Sequence, residues 1–367
     1  MNVLLQHPFL PGQISGVVAY LETLKPKLEA EGACIRILPS ATASLRDVKA
    51  AVDWADIIHL NSGELRAMLL AKCSGKPIVQ EYHFPFWGTW QQSVEDRKLP
   101  FGACLKKTVS VVWSHGLGWR LSWNFFKYFG SSCLRLAARI GCAWLADALV
   151  VPSQFMARDI RLPLNVKVIP YFLDVDDHEF RTNSDNNPKY SFCFAGRMSS
   201  DKGPHLILKA AGMLLKQGLN PRLVFIGDGE FKAEAMKLSS ELGLDGFVEW
   251  IGKLPRSEVL EYMRQSMVVV VPSQWDDPSP FVMLEAGAMR KPVIGSNRGG
   301  IPEVLPQELI FQEGDVAHLA HLMKKLLVNS KERQRLGNAC HLAVSRRCSR
   351  QNAVIPLLRL YQRVLSG

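Results

Sequence analysis

Two carboxylates, Asp277 and Glu285, stand with seven residues between them in the stretch PSQWDDPSPFVMLEAGAMRKPVIGSNRGGIPE, Pro272 to Glu303. Carboxylates accept hydrogen bonds from hydroxyl groups, as on a sugar or a ribose. The stretch begins where an apolar run, Met267-Val268-Val269-Val270-Val271, stops at Pro-Ser. A helical segment follows, then a second apolar strand (Pro292-Val293-Ile294) and a Gly299-Gly300 turn. A strand that ends in a polar loop opening a helix is where open α/β sheets bind phosphorylated ligands. Free backbone N–H groups and the helix dipole both favour an anion there. An anion cradle beside hydroxyl acceptors suits a nucleotide that carries a sugar.

A second loop upstream supplies cations. In Phe194-Ala195-Gly196-Arg197-Met198-Ser199-Ser200-Asp201-Lys202-Gly203 a strand ends at Gly196, and Arg197 and Lys202 follow. Arginine grips a phosphate with two donors and lysine gives a compact charge. In a cleft they would stabilise the charge building on a departing nucleoside diphosphate, where losing one such group costs about 10²–10³-fold in rate. A solvated surface pair is the plain alternative; the position after a strand, with glycines on both sides, weighs against it. Gly227, in Ile226-Gly227-Asp228-Gly229-Glu230, and Gly252, after Trp250-Ile251, carry a weaker signal. Asp-Gly is common turn chemistry, so both glycines read first as structural, with a backbone contact to the base as their second role.

The N-terminal half offers fewer candidates. Pro11 to Gly16 is a loop opening a helix, and Gly16 has no Cβ to block an acceptor or a diphosphate. His83, in Gln80-Glu81-Tyr82-His83-Phe84-Pro85, falls just past a strand end and is expected to act on or hold the sugar. His59, also beside a strand, reads as structural. Asp174-Val175-Asp176 spells a metal-binding Asp-x-Asp pattern but lies in a polar segment and reads as solvated linker. No His/Cys/carboxylate cluster has metal-ligand spacing, and no P-loop or G-x-S-x-G is present. No metal and no cofactor are expected.

These residues need strand ends to position them. Short apolar runs alternate with helical spacing: Val3-Leu4-Leu5, then Val17 to Glu31, Ile35 to Leu38, Ile57 to Leu60, Gly63 to Cys73, Pro77 to Gln80, Ala148 to Val151 and Lys167 to Pro170. Asp174 to Lys189, DVDDHEFRTNSDNNPK, is a polar break that reads as a linker. The alternation restarts at Phe192 to Ala195, Leu223 to Ile226 and Val248 to Ile251. Strand–helix–strand order with short connections implies parallel sheets with right-handed crossovers. The expected architecture is α/β, two doubly wound Rossmann-like domains facing a central cleft. Residues 1–180 would form the first, with a helical tail at 350–367 packing back on it, and 181–349 the second.

A chain of 367 residues supports two domains, and 47% apolar residues with a mean hydropathy of +0.02 mark it as globular. The net charge of +10 and pI of about 9.2 favour anionic partners. Eight scattered cysteines without a C-x-x-C pair read as reduced thiols. The N-terminus lacks the pattern of a signal peptide, and no uncharged apolar run reaches the roughly 20 residues of a membrane span. A cytoplasmic location is expected. Between Asp96 and Asp147 there are eight Lys or Arg and no acid, and six of the nine tryptophans lie from Trp87 to Trp144. Such a segment, 97–146, suits an element lying on an anionic membrane, here the inner face of the cell membrane. Core-packing helices with a solvated basic edge are its plain alternative. Single-stranded nucleic acid also likes basic and aromatic residues, but no recognition module accompanies them, so no nucleic-acid partner is expected.

Together these residues resemble glycosyltransferase family 4, retaining enzymes of the GT-B fold. Arg197, Lys202, Asp277…Glu285 and Gly299-Gly300-Ile301-Pro302-Glu303 carry the resemblance; Gly16, His83, Ala146 to Ser153, Val168 to Asp174 and Phe311 to Asp315 extend it over nearly the whole chain. The resemblance implies that Arg197 and Lys202 hold the donor diphosphate and that Glu285 accepts from ribose hydroxyls. It further implies that Asp277 holds the transferred sugar, that the amides near Phe281 and Val282 face the donor, and that His83 lies near the reacting sugar. No metal would be needed. The partners would be a UDP-, GDP- or ADP-sugar and a sugar or lipid-linked acceptor, as in cell-surface polysaccharide assembly. Asp277 stands where the family usually has Glu, one methylene shorter, and Pro278-Ser279-Pro280 replaces the usual Gly-Phe-Gly. Two rivals are a sugar-nucleotide epimerase or phosphorylase of similar shape and a non-catalytic, membrane-associated binding protein.

Overall fold

The apolar runs form strands because each is short, rich in Val, Ile and Leu, and bounded by turn residues. The computed structural model describes residues 1–10, 16–86, 103, 105–107, 109–110, 123–180 and 188–367. Two units result: Met1–Phe172 with Arg350–Gly367, and Leu173–Ser349.

In the first unit, β1 (Asn2–His7), β2 (Cys34–Pro39), β3 (Ile57–Leu60), β4 (Ile78–Glu81), β5 (Ala148–Val151) and β6 (Val166–Val168) pair in the order β2-β1-β3-β4-β5-β6. Every pairing is parallel. β3, β4 and β5 are buried along their whole length, as strands covered on both faces must be. One core cluster sets Val48, Ala51 and Val52 against Leu4, Ile58 and Met68; another gathers Phe86, Leu149 and Met156. Ser44 and Asp47 close a capping box at the start of helix Leu45–Trp54.

In the second unit, β7 (Tyr190–Ala195), β8 (Leu223–Ile226), β9 (Val248–Gly252), β10 (Ser266–Val271), β11 (Val293–Ser296) and β12 (Ile310–Phe311) pair in the order β12-β11-β10-β7-β8-β9. These pairings too are all parallel. The chain winds outward from β7 through β8 to β9, then returns to build β10 on the other side of β7. The loops after β7 and β10 therefore part in opposite directions, leaving a crevice at the carboxyl ends of the two strands. The first sheet has the same reversal between β1 and β3.

Two segments differ from the sequence reading. The division falls at Phe172/Leu173, and the front of the polar segment is folded structure. Phe180 is buried, His178–Phe180 forms a turn of 3₁₀ helix, and the N–H of Glu179 donates to Asp177 Oδ1 at 3.1 Å. Polar composition hid one apolar anchor. The tail forms helix Val354–Ser366, and its buried Tyr361 places its hydroxyl 2.5 Å from His59 Nδ1. Of the basic aromatic segment 97–146, residues 97–102, 104, 108 and 111–122 lie outside the described residues.

Candidate site at the β7/β10 switch point

Two loops that part at a switch point need something to hold them at working distance. Here a glycine does so. Gly203 follows Lys202 with φ +71, and a Cβ there would stand 2.2 Å from the Pro272 carbonyl oxygen. Only glycine allows the loop after β7 to lie this close to the loop after β10. Backbone bonds fix the approach: the Asp201 carbonyl accepts the N–H groups of Gln274, at 2.8 Å, and Trp275, at 3.1 Å.

The result is a charge pair across the crevice. Lys202 Nζ lies 2.5 Å from Asp277 Oδ2, with side-chain exposures of 25% and 13%. Ser273 Oγ approaches the same carboxylate oxygen at 3.5 Å. Asp277 is held from behind by Gly299, whose φ is +57 and whose missing Cβ would stand 2.2 Å from the Asp277 carbonyl oxygen. The Gly300 N–H donates to that carbonyl at 2.8 Å. The motif glycines thus shape the carboxylate loop.

Pro280 precedes helix Phe281–Ala288, which places Phe281 and Val282 at its head. Glu285 lies one turn further, buried, with Oε1 accepting from Arg256 Nε at 2.6 Å. Burial pushes its carboxyl above the usual carboxylate range, and Arg256 pulls it back. Arg197 is exposed and donates to Asp201 Oδ2 at 3.0 Å, so it stands apart from the Lys202–Asp277 pair. Gly227 and Gly252 join neighbouring strand ends, the N–H of Gly227 donating to the Gly252 carbonyl at 2.7 Å.

In the first unit Gly16 opens helix Gly16–Ala30; the loop before it, 11–15, lies outside the described residues. His83 is buried just past β4. Its Nε2 meets Asn61 Oδ1 at 2.6 Å and its Nδ1 meets the Tyr171 hydroxyl at 2.9 Å. Asn61 Nδ2 donates to the Gln6 carbonyl, which turns Oδ1 toward the ring. Nε2 must then carry the proton, and Nδ1 accepts from tyrosine. Burial keeps the imidazole neutral to a lower pH than usual, against the pull of Glu81. Both ring nitrogens are engaged within the protein, so a hydrogen bond from His83 to a sugar requires one partner to be exchanged. His59 is buried and paired, with Nε2 3.0 Å from Glu81 Oε2.

Sequence reasoning missed the charges behind the motif. Arg298, beside Gly299-Gly300, forms ion pairs with Asp276 at 3.1 Å and with Glu313 at 3.0 Å, and all three loops after β10, β11 and β12 are thereby tied. The doubled Asp276-Asp277 was the available signal, one carboxylate facing Arg298 and the other Lys202. Arg256 carried no signal of its own.

Residues 175–341 match the family described as Glycosyl transferases group 1. This part of the chain is a glycosyl transferases group 1 domain. Spore coat protein SA of Bacillus subtilis (strain 168) is 29% identical over 195 residues, covering 50% of this chain and 52% of that protein. Sulfoquinovosyl transferase SQD2 of Arabidopsis thaliana is 27% identical over 293 residues, covering 77% of this chain and 52% of its own length. The chain spans about half the length of these curated relatives. Among solved structures, Anabaena Alr3699/HepE in complex with UDP-glucose superimposes with a TM-score of 0.69 at 17% identity, covering 100% of this chain and 99% of that one. The fold is GT-B.

Proposed function

We propose that this chain is a retaining, metal-independent glycosyltransferase, which moves a sugar from a nucleotide-sugar donor to an acceptor hydroxyl. One observation carries the reading: a cation and a hydroxyl-accepting carboxylate, Lys202 and Asp277, meet across the switch point of a parallel sheet, where α/β folds bind phosphorylated ligands. A donor divides between them. Its diphosphate takes Lys202, with Arg197 swinging from Asp201 to join, and its sugar hydroxyls take Asp277. Glu285 receives the ribose diol, and the amides at Phe281 and Val282 head the helix toward the phosphates. As the sugar–phosphate bond breaks, charge builds on the leaving diphosphate where the cations stand. That diphosphate then takes the acceptor's proton on the same face of the ring, which gives retention. The acceptor is assigned to the first unit, where His83 and Gly16 lie.

The test is a screen of UDP-, GDP- and ADP-sugars by thermal shift and by release of nucleoside diphosphate. UDP-sugars come first, because the Anabaena protein of the same fold was captured with UDP-glucose. Release that rises on adding an acceptor supports transfer. Turnover without acceptor points to the epimerase or phosphorylase chemistry, and binding without turnover to a binding protein.

A lipid-linked acceptor at an anionic membrane is a second element of the proposal. Among the described residues no helix is long and apolar enough to cross a membrane. Helix Trp123–Leu145 nevertheless leaves Leu134 and Trp144 more than half exposed, and Leu69 on helix Leu65–Cys73, which packs against it, is exposed as well. Co-sedimentation with liposomes that depends on anionic lipid supports this element, and indifference to lipid charge removes it.

A further inference from the structure

Glu285 has a difficult position for a hydroxyl acceptor. It is buried on helix Phe281–Ala288 among Met283, Leu284 and Ala286, and burial favours its neutral form. A neutral carboxyl donates one hydrogen bond and accepts more weakly; a carboxylate accepts from both hydroxyls of a vicinal diol. Something must therefore hold the charge in place.

Arg256, the first residue of helix Arg256–Arg264, does this from 29 positions away. Its Nε donates to Glu285 Oε1 at 2.6 Å, and its Nη1 donates to Glu179 Oε2 at 2.7 Å. The guanidinium also lies over the Phe180 ring, 5.7 Å from the centroid. Arg264, one helix-length on, donates to the Glu179 carbonyl at 2.7 Å, so the Glu179–Phe180 segment is lashed to both ends of this helix. Oε1 of Glu285 is thus committed, and among the described residues Oε2 takes no hydrogen bond. The charged groups acting on Glu285 are Arg256, from the helix start, and Glu179, from the 3₁₀ turn; the first favours its charge and the second opposes it.

We propose that Arg256 is a positioning residue for donor recognition: bridged between Glu179 and Glu285, it keeps the Glu285 carboxylate charged and its second oxygen turned to the ribose diol. This rests on the glycosyltransferase reading above and adds the element that makes a buried acidic residue usable there. Two variants move the charge balance in opposite directions. Arg256→Gln removes the cation, and Glu179→Gln removes the competing anion.

The test measures binding of UDP, GDP and ADP, each against its 2′,3′-dideoxy counterpart, by calorimetry from pH 5 to pH 8. Wild type should prefer the ribose form by about tenfold, the worth of one charged hydrogen bond. Arg256→Gln should cut that preference to about threefold or less and move the pH below which binding weakens upward by about one unit. Glu179→Gln should keep the preference and move the same inflection downward. Arg256→Lys, which keeps the charge but loses the fork, should restore the inflection in part and provides the reading if Arg256→Gln does not fold. Equal losses for ribose and dideoxy forms in Arg256→Gln, or inflections moving the same way in both neutral variants, mean a merely structural bridge and overturn the proposal. If wild type binds none of the three nucleotides, the donor-site reading itself falls, and this inference with it; if it binds them with ribose preference that Arg256→Gln leaves untouched, only this inference falls.

Discussion

Replacing Asp277 with Asn should tighten the binding of a bare nucleoside diphosphate while impairing use of the full donor. Before ligand enters, Lys202 is already spoken for: its ammonium sits 2.5 Å from the Asp277 carboxylate, in a place where neither side chain is more than a quarter exposed. A diphosphate must take Lys202 from that carboxylate and then tolerate the negative charge left behind. At this burial the pair is worth more than an exposed salt bridge and less than a fully buried one, about 1–2 kcal/mol. Asn keeps the shape and removes the charge, so affinity for the diphosphate should rise about 5- to 30-fold. The gain should shrink as salt is raised, since screening weakens the charge term. With a nucleotide sugar the sign reverses. Asn accepts the sugar hydroxyls without charge assistance, and loss of about 1.5–3 kcal/mol there predicts turnover lower by about 10- to 100-fold. Titration calorimetry with UDP, GDP and ADP reads the first effect and acceptor-dependent release reads the second. Diphosphate affinity that is unchanged or weaker in Asp277→Asn would refute the idea that the two side chains hold each other in reserve.

Lys202→Ala and Arg197→Ala should each lower turnover by about 10²–10³-fold with unchanged circular dichroism; wild-type transfer in either variant contradicts its phosphate role. Gly203→Ala should cost at least about 2 kcal/mol in urea unfolding, because its methyl would collide with the Pro272 carbonyl at a positive φ; a neutral substitution would show that the two loops are less tightly opposed. Lys291 is half-buried and donates to the Arg264 and Ser266 carbonyls, and desolvation lowers its pKa to about 8. Its folded-state pKa lies below its unfolded value of 10.5, so the unfolded chain binds more protons between those values and stability from this group rises as pH goes from 8 to 10.5. The buried thiols of Cys193 and Cys348, pushed up to about 12, act in the opposite direction above pH 9. The difference between wild type and Lys291→Met isolates the lysine: it should move in favour of wild type with rising pH, by at most about 3 kcal/mol, and a flat difference in melts across that range would remove the effect.

What could be read in advance followed from local patterns. The apolar run ending at Val271 marks β10 because a short run of β-branched valines bounded by Pro-Ser suits a strand covered on both faces. Asp277 and Glu285 were legible because a strand end, a loop and a helix head place them in a fixed order. The partner of Glu285 was not. Arg256 joins Glu179 across 77 positions and Glu285 across 29, separations that no periodicity encodes. His83 looked available because it follows a strand; Asn61 and Tyr171, which engage both its nitrogens, arrive from 22 and 88 positions away. The stretch DVDDHEF looked like linker for the same reason, since nothing in its polar composition shows that Phe180 finds a buried seat or that Glu179 finds an arginine.

The first unit is assembled from two separated stretches, Met1–Phe172 and Arg350–Gly367, whereas the second is one continuous span, Leu173–Ser349. This has a consequence for synthesis. Chains leave the ribosome N-terminus first, at about 5–20 residues per second. The span 173–349 can close its sheet while helix Val354–Ser366 is still being made, but the earlier-emerging sheet must wait with the seat for Tyr361, beside His59, uncovered until that helix has emerged. The stretch made first is therefore completed only after the one that follows it, and its sheet carries an open seat while residues 173–349 are made.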